Sequence, residues 1–257
     1  MTDIISEVTA ENLKVRIYHS RTTMGAQAAA MAGDKIRQLL NQQEFVNIIF
    51  AAAPSQIEFL KNIVRDKNIA WNRINAFHMD EYVGLPEEAP QRFGNFLKYN
   101  LFAKVSFRSV NYLNGLADNL EVECARYAEL LNKHAVDMVC MGIGENTHIA
   151  FNDPHVADFN DPNLVKVVDL DETCRQQQVN DGCFAAIYDV PTHALTLTIP
   201  ALIQARYIYC MVPGPTKAQA VYHTLKSVVQ ELYPSTILRK HANAILFLDK
   251  ASYALLE

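Results

Sequence analysis

Residues 136–154 read VDMVCMGIGENTHIAFNDP, a short apolar run that passes directly into a loop rich in glycine and polar side chains. Val136–Met141 is apolar enough to form a strand that is buried on both faces, and the polar residues begin where that strand would end. In open parallel sheets, ligands bind at the carboxyl ends of the strands, where the strand-to-helix loops gather. This stretch therefore predicts both a type of sheet and the edge at which a functional site lies.

The same alternation of apolar runs and helical patterns extends through the chain. Further runs typical of strands occur at Leu13–Tyr18, Phe45–Phe50, Ile74–Met79, Ala194–Ile199, Arg206–Val212 and Ala244–Leu248. Apolar residues recur at helical spacing in Met24–Leu40, Gln56–Arg65, Phe93–Leu101, Leu120–His134 and Thr216–Val229. We therefore expect an α/β fold, with one domain over residues 1–257, an open, mainly parallel Rossmann-like sheet and helices on both faces. The polar segment Phe151–Asp181 is expected to be an irregular, mobile flap.

Composition disfavours several classes of function. The chain of 257 residues carries 23 basic and 28 acidic side chains without a basic run, so nucleic-acid binding is not expected. No apolar run is long enough to cross a bilayer, and residues 1–7 lack the pattern of a signal peptide. The 5 cysteines are scattered without C-x-x-C spacing, which predicts reduced thiols in the cytoplasm and no zinc knuckle.

Two strand ends in the first half of the chain carry candidate site residues. The small residues of Ala51–Ser55 would let an anion approach the start of the next helix, although Ser55 followed by Glu58 also fits a capping box that needs no ligand. Asp80 follows the apolar run that ends at Met79, where burial would raise its pKa enough to make it a base. The plainer interpretation of Asp80 is a turn or capping residue. A metal pair of Asp80 with His78 lacks a third ligand at a supporting spacing.

Two later strand ends add further candidates. In the loop after Met141, His148 and Asp153 are typical of an imidazole oriented by a carboxylate, while a purely structural histidine is the alternative. Thr147 stands where a dinucleotide fingerprint requires its third glycine, which argues against a nicotinamide or flavin cofactor. Lys217 lies in the first turn of a predicted helix, where a bound anion would offset its unfavourable interaction with the helix dipole, and a solvated surface lysine is the alternative.

These residues belong to segments that resemble a known family. HMDEYVGLP at 78–86 and GIGENTHIAFNDP at 142–154 closely resemble the two signature segments of glucosamine-6-phosphate deaminases, and GPTKA at 214–218 is similar to a third. The resemblance implies a Rossmann-like sheet and no cofactor, and the missing third ligand beside His78 and Asp80 predicts that no metal is bound. It also implies an aldose–ketose isomerisation of a sugar phosphate followed by loss of ammonia.

The resemblance also implies roles for individual residues. Asp80 would move a proton from C2 to C1 of the sugar, and His148 would open the sugar ring with the help of Asp153. Asn146 belongs to the same ring-opening group, at a place where many members of the family carry Asp. The residues expected to bind substrate are Ala53, Ser55, Glu81, Gly144, Arg175 and Lys217.

Other parts of the sequence depart from the family. Ala52–Gln56 lacks the glycines and two of the hydroxyls of the family's phosphate loop, and Asn180 stands at the place of an arginine that binds the phosphate. Arg175 is the expected substitute for that arginine. We therefore expect a divergent subgroup, acting on glucosamine 6-phosphate, a related sugar phosphate or another polar sugar acid.

Two other functions remain as alternatives. A 6-phosphogluconolactonase would use His148 as a general base on water and would need no enolising Asp80. A sugar-phosphate sensor that regulates transcription would carry a basic helix-turn-helix segment, and none is expected before Leu13. Monomers, dimers and larger rings occur in the family, so a homo-oligomer is a further expectation.

Overall fold

A computed structural model of the protein describes residues 4–256; residues 1–3, which begin the N-terminal segment considered above, and residue 257 lie outside this range. The strands are β1 (Ile4–Ala10), β2 (Leu13–Tyr18), β3 (Val46–Phe50), β4 (Ile74–His78), β5 (Asp80–Tyr82), β6 (Ser109–Asn111), β7 (Met138–Met141), β8 (Val165–Asp169), β9 (His193–Leu197), β10 (Tyr207–Val212) and β11 (Ala244–Asp249). The α-helices are α1 (Arg21–Leu40), α2 (Ile57–Ile63), α3 (Phe93–Leu97), α4 (Leu120–Lys133), α5 (Glu172–Asn180), α6 (Ile199–Ile203), α7 (Ala218–Lys226) and α8 (Lys250–Tyr253).

The main sheet has eight strands in the order β1-β2-β11-β10-β7-β3-β4-β6. Every neighbouring pair is parallel except β1 and β2, which form an antiparallel edge. The predicted open, mainly parallel sheet is therefore confirmed.

Helices cover both faces of this sheet because its strands are apolar on both sides. In β3, Ile48 and Phe50 pack into one buried cluster with residues of α1 and α2, whereas Ile49 lies in a second cluster with residues of α4 and α7. Successive side chains of a strand point to opposite faces, so the two clusters lie on opposite sides of the sheet. This arrangement leaves the carboxyl ends of the strands open between the helical layers.

A second sheet of three antiparallel strands, in the order β5-β9-β8, joins the first sheet near Asp80. The run Ala194–Ile199 does form a strand, β9, but that strand pairs with β5 and β8 and is not part of the main parallel sheet. Its apolar composition is explained by burial from Ala194 to Leu197. Composition alone does not specify which sheet a buried strand joins.

The prediction of an irregular flap over Phe151–Asp181 is wrong, because the segment contains β8 and α5. Helix α5 begins after Asp171, whose side chain accepts a hydrogen bond from the backbone N–H of Cys174. Glutamine and charged residues fill most of α5, so it lacks the apolar periodicity from which helices are predicted. No helix within residues 4–256 combines the length and the apolar composition needed to span a membrane.

Candidate functional site

A cavity of about 520 Å³ opens at the carboxyl ends of the central strands. Its walls are formed by the residues that follow β3, β4, β7 and β10, together with parts of α1, α3 and α5. The predicted site residues that line it are Ala53, Ser55, Asp80, Gly144, His148 and Lys217. Segments that are far apart in the sequence thus bring the carboxyl group of Asp80, the imidazole of His148 and the amine of Lys217 to one cavity.

His148 is held by two side chains of its own loop. Its Nδ1 lies 2.9 Å from Oδ1 of Asp153, which is fully buried, and its backbone N–H donates to Oδ1 of Asn146. Asn146 in turn donates from Nδ2 to Oδ1 of Asp153 at 2.9 Å. Because Nδ1 faces the carboxylate, Nε2 is the nitrogen that remains for a ligand in the cavity. Asn146 and Asp153 do not line the cavity themselves and contact His148, which does.

The charge on Asp153 is stabilised where it lies. Burial raises the pKa of this carboxyl, but the charge of His148 and hydrogen bonds from His148, Asn146 and the thiol of Cys174 more than offset burial, so its pKa is lowered overall. Asp153 therefore stays ionised beside the imidazole.

Gly144 allows the imidazole to occupy this position. A β-carbon on Gly144 would lie 2.2 Å from Cε1 of His148 and 2.3 Å from Nε2. The loop is also bent sharply, since Thr147 and Ala150 have φ values of 73° and 50°, which non-glycine residues rarely adopt. Strained residues of this kind persist where the surrounding structure determines them, as at functional sites.

Asp80 is the first residue of β5 and comes two residues after the end of β4. Only 7% of its surface is exposed, and that surface faces the cavity. Burial raises the pKa of Asp80 well above its ordinary value, and the negative charge of Glu81 raises it further. A carboxylate in this setting is a stronger base than one in water.

Glu81 does not line the cavity. Its carboxylate accepts hydrogen bonds from the backbone N–H groups of Tyr82, Phe93 and Gly94, so it caps the start of α3. Burial raises the pKa of Glu81, although these hydrogen bonds and Arg92 oppose the shift. Glu81 therefore stabilises the start of α3 and influences Asp80 electrostatically, and it is not placed to contact a ligand in the cavity.

The loop after β3 adopts a different arrangement from the predicted capping box. The side chain of Glu58 pairs with Arg21, and α2 has no side-chain cap, so the capping-box interpretation of Ser55 and Glu58 is wrong. Oγ of Ser55 instead accepts a hydrogen bond from Nε2 of Gln56, which also donates to the carbonyl of Met141 at the end of β7. These bonds fix the Ser55 hydroxyl at the mouth of the central strands.

Lys217 ends a 3-10 turn, Pro215–Lys217, that follows β10. It is 5% exposed, and no carboxylate of the described chain lies within 4.0 Å of its Nζ. Burial lowers the pKa of Lys217, while the charges of Asp181 and Glu145 raise it less strongly. A buried ammonium without a close partner is costly, and an anion in the cavity would stabilise it.

Arg175 does not reach the cavity. Its guanidinium donates to the backbone carbonyls of Ile187 and Val190, which ties α5 to the chain that follows it. The position that sequence comparison suggested for the missing arginine, Asn180, is bonded to Gln176 on the same helix and does not line the cavity either.

Several cavity residues were not predicted from the sequence. They include Arg21, Phe93, Phe96, Gln177, Gln178, Asp181 and Cys183. Gln177 accepts a hydrogen bond from the backbone N–H of Glu145 at 2.7 Å and so connects α5 to the His148 loop. The run of glutamines in α5 was the available signal, because uncharged polar side chains that cluster on a short helix need partners when they are buried.

Two groups of side chains within residues 4–256 have donor atoms close enough to hold a metal ion: His148, Asp153 and Cys174, and Asp153, His155 and Asp171. Their members already have protein partners, since Asp153 bonds to Asn146, His155 to Asp169, and Asp171 to the start of α5. The alternative pair of His78 with Asp80 is also disfavoured, because Nε2 of His78 accepts from the backbone of Leu113 and its ring does not line the cavity.

Comparisons with known proteins show the family to which this chain belongs. The model of the family described as glucosamine-6-phosphate isomerases/6-phosphogluconolactonase matches residues 19–247. Glucosamine-6-phosphate deaminases of Bacillus thuringiensis (strain Al Hakam) and Bacillus anthracis (strain CDC 684 / NRRL 3495) are each 34% identical to this chain over 227 residues, which are 88% of this chain and 84% of each relative.

Solved structures give the same picture of the fold. A monomeric glucosamine-6-phosphate deaminase has a TM-score of 0.84 at 27% identity, and the match covers 94% of this chain and 99% of that one. A 6-phosphogluconolactonase from Thermotoga maritima has a TM-score of 0.75 at 20% identity, with 92% and 99% covered. At 20% identity the likeness concerns the fold alone.

Proposed function

Since this chain belongs to the family of glucosamine-6-phosphate isomerases and 6-phosphogluconolactonases, we propose that it converts glucosamine 6-phosphate and water into fructose 6-phosphate and ammonia. The observation that carries this proposal is the buried carboxylate of Asp80 in the same cavity as the imidazole of His148. Hydrolysis of a lactone would use an imidazole on water, but it has no step for a buried base of raised pKa.

The proposed reaction begins with ring opening. Nε2 of His148 takes the proton of the hydroxyl on C1 and delivers a proton to the ring oxygen, so the C1–O5 bond breaks and the aldehyde forms. Asp153 acts as a positioning residue in this step, because it fixes the orientation of the ring and stabilises its transient charge. Asn146 holds both partners through the two hydrogen bonds described above.

Asp80 then isomerises the open-chain sugar. Its carboxylate removes the proton on C2 while the substrate's ammonium group gives a proton to the oxygen on C1, which yields an enolamine with a double bond between C1 and C2. The protonated Asp80 then returns its proton to C1. The product carries an imine at C2, which water hydrolyses to the ketone and ammonia. Carbon acids of this kind are weak, so the base must be held against the substrate in a site that excludes water, and burial of Asp80 meets that requirement.

We assign the phosphate to the part of the cavity that offers a positive charge and hydrogen-bond donors. Nζ of Lys217 supplies a positive charge, and the hydroxyl of Ser55 with the adjoining N–H groups at Ala53 and Ser55 supplies donors. An anion at this place raises the lowered pKa of Lys217 by stabilising its ammonium. Gly144 contributes to the site by making room for the imidazole of His148, which shapes the cavity. Glu81 and Arg175 do not line the cavity, and we propose no contact of either residue with the substrate.

A direct assay tests the proposal. The purified protein is incubated with glucosamine 6-phosphate while ammonia and fructose 6-phosphate are measured, and with 6-phosphogluconolactone while acid release is measured. Formation of ammonia and ketose in equal amounts is expected. Turnover of the lactone without any ammonia from the amino sugar would replace the proposal with the lactonase function, and a thermal shift on adding sugar phosphate without any turnover would favour a sensor.

The acid side of the pH profile provides a second prediction. Asp80 works as a base only when it is deprotonated, and burial and the charge of Glu81 raise its pKa. As the pH is lowered, kcat/KM is therefore expected to fall at a higher pH than the one at which an exposed aspartate titrates. Glu81→Gln removes one cause of the shift and should move this limb to lower pH. A limb that stays in place in Glu81→Gln would assign the titration to a different group.

Gly144→Ala should impair the ring-opening group. The new β-carbon overlaps the imidazole, so we expect His148 to be displaced, kcat to fall about tenfold, and the free energy of unfolding to fall by about 1–3 kcal/mol. Kinetics and denaturant titration measure the two effects. The matched control is Gly84→Ala, since Gly84 has φ of 85° and open space around it. That control should lose about 1–2 kcal/mol of stability from backbone strain and keep its kcat. Equal losses of kcat in both variants would contradict the specific role of Gly144.

The setting of the reaction is also part of the proposal. All 5 cysteines are free thiols, as expected for a protein of a reducing compartment, and we assign the enzyme to the cytoplasm. A homo-oligomer stays a prediction, which sedimentation or light scattering of the purified protein would test.

A further inference from the structure

Arg21 is the only arginine that lines the cavity within the described residues. It occupies the first turn of α1, the helix that follows β2 at the edge of the site. This element lies more than a hundred residues before α5, where the sequence had suggested an arginine for the phosphate. A cation in the first turn of a helix interacts unfavourably with the helix dipole, so its position there calls for another explanation.

The guanidinium of Arg21 is held in a fixed orientation by two groups. Nε donates to Oε1 of Glu58 at 2.7 Å, and Nη2 donates both to Oε2 of Glu58 at 2.9 Å and to the carbonyl of Pro54 at 3.1 Å. These bonds use the single N–H of Nε and both N–H groups of Nη2. Nη1 makes no hydrogen bond within residues 4–256 and retains two donors.

The bond to Pro54 places this guanidinium beside the proposed phosphate site, because Pro54 directly precedes Ser55. Close packing of α1 against α2 makes the contact possible. Gly25 lies one turn after Arg21, and a β-carbon at this position would be 2.4 Å from Cβ of Glu58. A larger residue at position 25 would therefore separate the helix that carries Arg21 from the loop that carries Ser55.

A simple ion pair between α1 and α2 does not account for these features. Side chains at this bridge are 44% and 21% exposed, and exposed ion pairs contribute about 0–1 kcal/mol to stability. The pair would also be complete without a hydrogen bond to the loop carbonyl, and it gives no reason for Nη1 to stay unused on a side chain that lines the cavity. Orientation of the guanidinium toward a ligand explains both features, since a fixed planar fork suits the oxygens of a phosphate.

We propose that Arg21 is a specificity-determining residue, which binds the phosphate monoester of the sugar substrate through Nη1 together with Lys217 and Ser55. This inference rests on the proposed function for the identity of the sugar. The arginine of the phosphate site is thus supplied by α1, and Arg21 takes the role of the arginine that is absent at Asn180 in α5. Glu58 is a positioning residue for Arg21.

The test measures phosphate binding with and without turnover. Arg21→Gln is expected to raise KM for glucosamine 6-phosphate about tenfold and to change kcat less than twofold, because the contact is made equally in the ground state and the transition state. The dissociation constant of inorganic phosphate, measured by calorimetry, should rise by about the same factor. The calorimetric result does not depend on which sugar is turned over, so failure of the proposed reaction can be told apart from failure of this inference.

Two further variants complete the experiment. Arg65→Gln removes the same charge from an exposed arginine outside the cavity and should leave KM and phosphate binding within twofold of the original protein. Arg21→Lys keeps the charge but not the fork, and is expected to recover only part of the lost affinity. Unchanged phosphate binding in Arg21→Gln would overturn the proposal, as would a fall in kcat or stability with an unchanged dissociation constant, which would limit Arg21 to holding the Ser55 loop.

Discussion

Replacing Asp80 with asparagine is expected to lower kcat for ammonia release by about a thousandfold, because the amide cannot accept the proton on C2. The side chains have nearly the same shape, so the cavity should keep its form. Ionised carboxylates are costly to bury, and the raised pKa of Asp80 reflects that cost. We therefore expect the free energy of unfolding of Asp80→Asn at neutral pH to be equal to or greater than that of the original protein.

Binding separates a chemical role of Asp80 from a structural one. The inactive variant allows the dissociation constant of glucosamine 6-phosphate itself to be measured by calorimetry, and this constant should change less than about threefold. Asp118→Asn, the same substitution at an exposed position outside the cavity, is the matched control and should retain full activity. A kcat of Asp80→Asn near that of the control would remove Asp80 from the mechanism.

His148→Ala is expected to lower kcat for the cyclic substrate by about a hundredfold, since proton transfer by a positioned imidazole contributes on this scale. Its proposed role ends once the ring is open. A 4,5-dideoxy analogue of the substrate, which lacks the hydroxyls on C4 and C5 and can close neither a furanose nor a pyranose ring, should therefore be isomerised by the variant at a rate within a few-fold of the original protein. The comparison uses the same two substrates with both proteins.

A histidine outside the cavity provides the control for this experiment. His193→Ala changes an exposed side chain at the start of β9 and should affect neither substrate. If His148→Ala slows the cyclic substrate and the 4,5-dideoxy analogue to the same extent, His148 acts in the isomerisation and not in ring opening.

The main sheet, and the edge at which the candidate residues lie, could be predicted from the sequence for a definite physical reason. Strands that are buried on both faces are continuous apolar runs, so Val136–Met141 and its counterparts stand out from the helices between them. The carboxyl ends of parallel strands meet at one edge, so Asp80 and His148, which follow two of these runs, are expected at the same edge of the sheet. The family resemblance inferred from the two signature segments is confirmed by the family model and by the curated relatives.

Contacts made by polar side chains across long sequence distances were not predictable in this way. Arg175 is close in sequence to the expected position, yet its guanidinium donates to carbonyls of the following turn. Glu58 fits a local capping box, but it pairs with Arg21, 37 residues earlier in the chain. Local patterns predict local partners, and only the packing of α1 against α2 determines which of the possible partners is in reach.

Asp80 opens β5 and so belongs to the small antiparallel sheet, while the proposed phosphate-binding groups at Ser55 and Lys217 follow β3 and β10 of the large one. The proposed catalysis thus requires two separately hydrogen-bonded sheets to keep a fixed mutual placement, with Met79 as the only residue between β4 and β5. A loosening of the small sheet would move the proton acceptor away from an anchored sugar without disturbing its anchor. The enzyme would then still hold its substrate but no longer transform it.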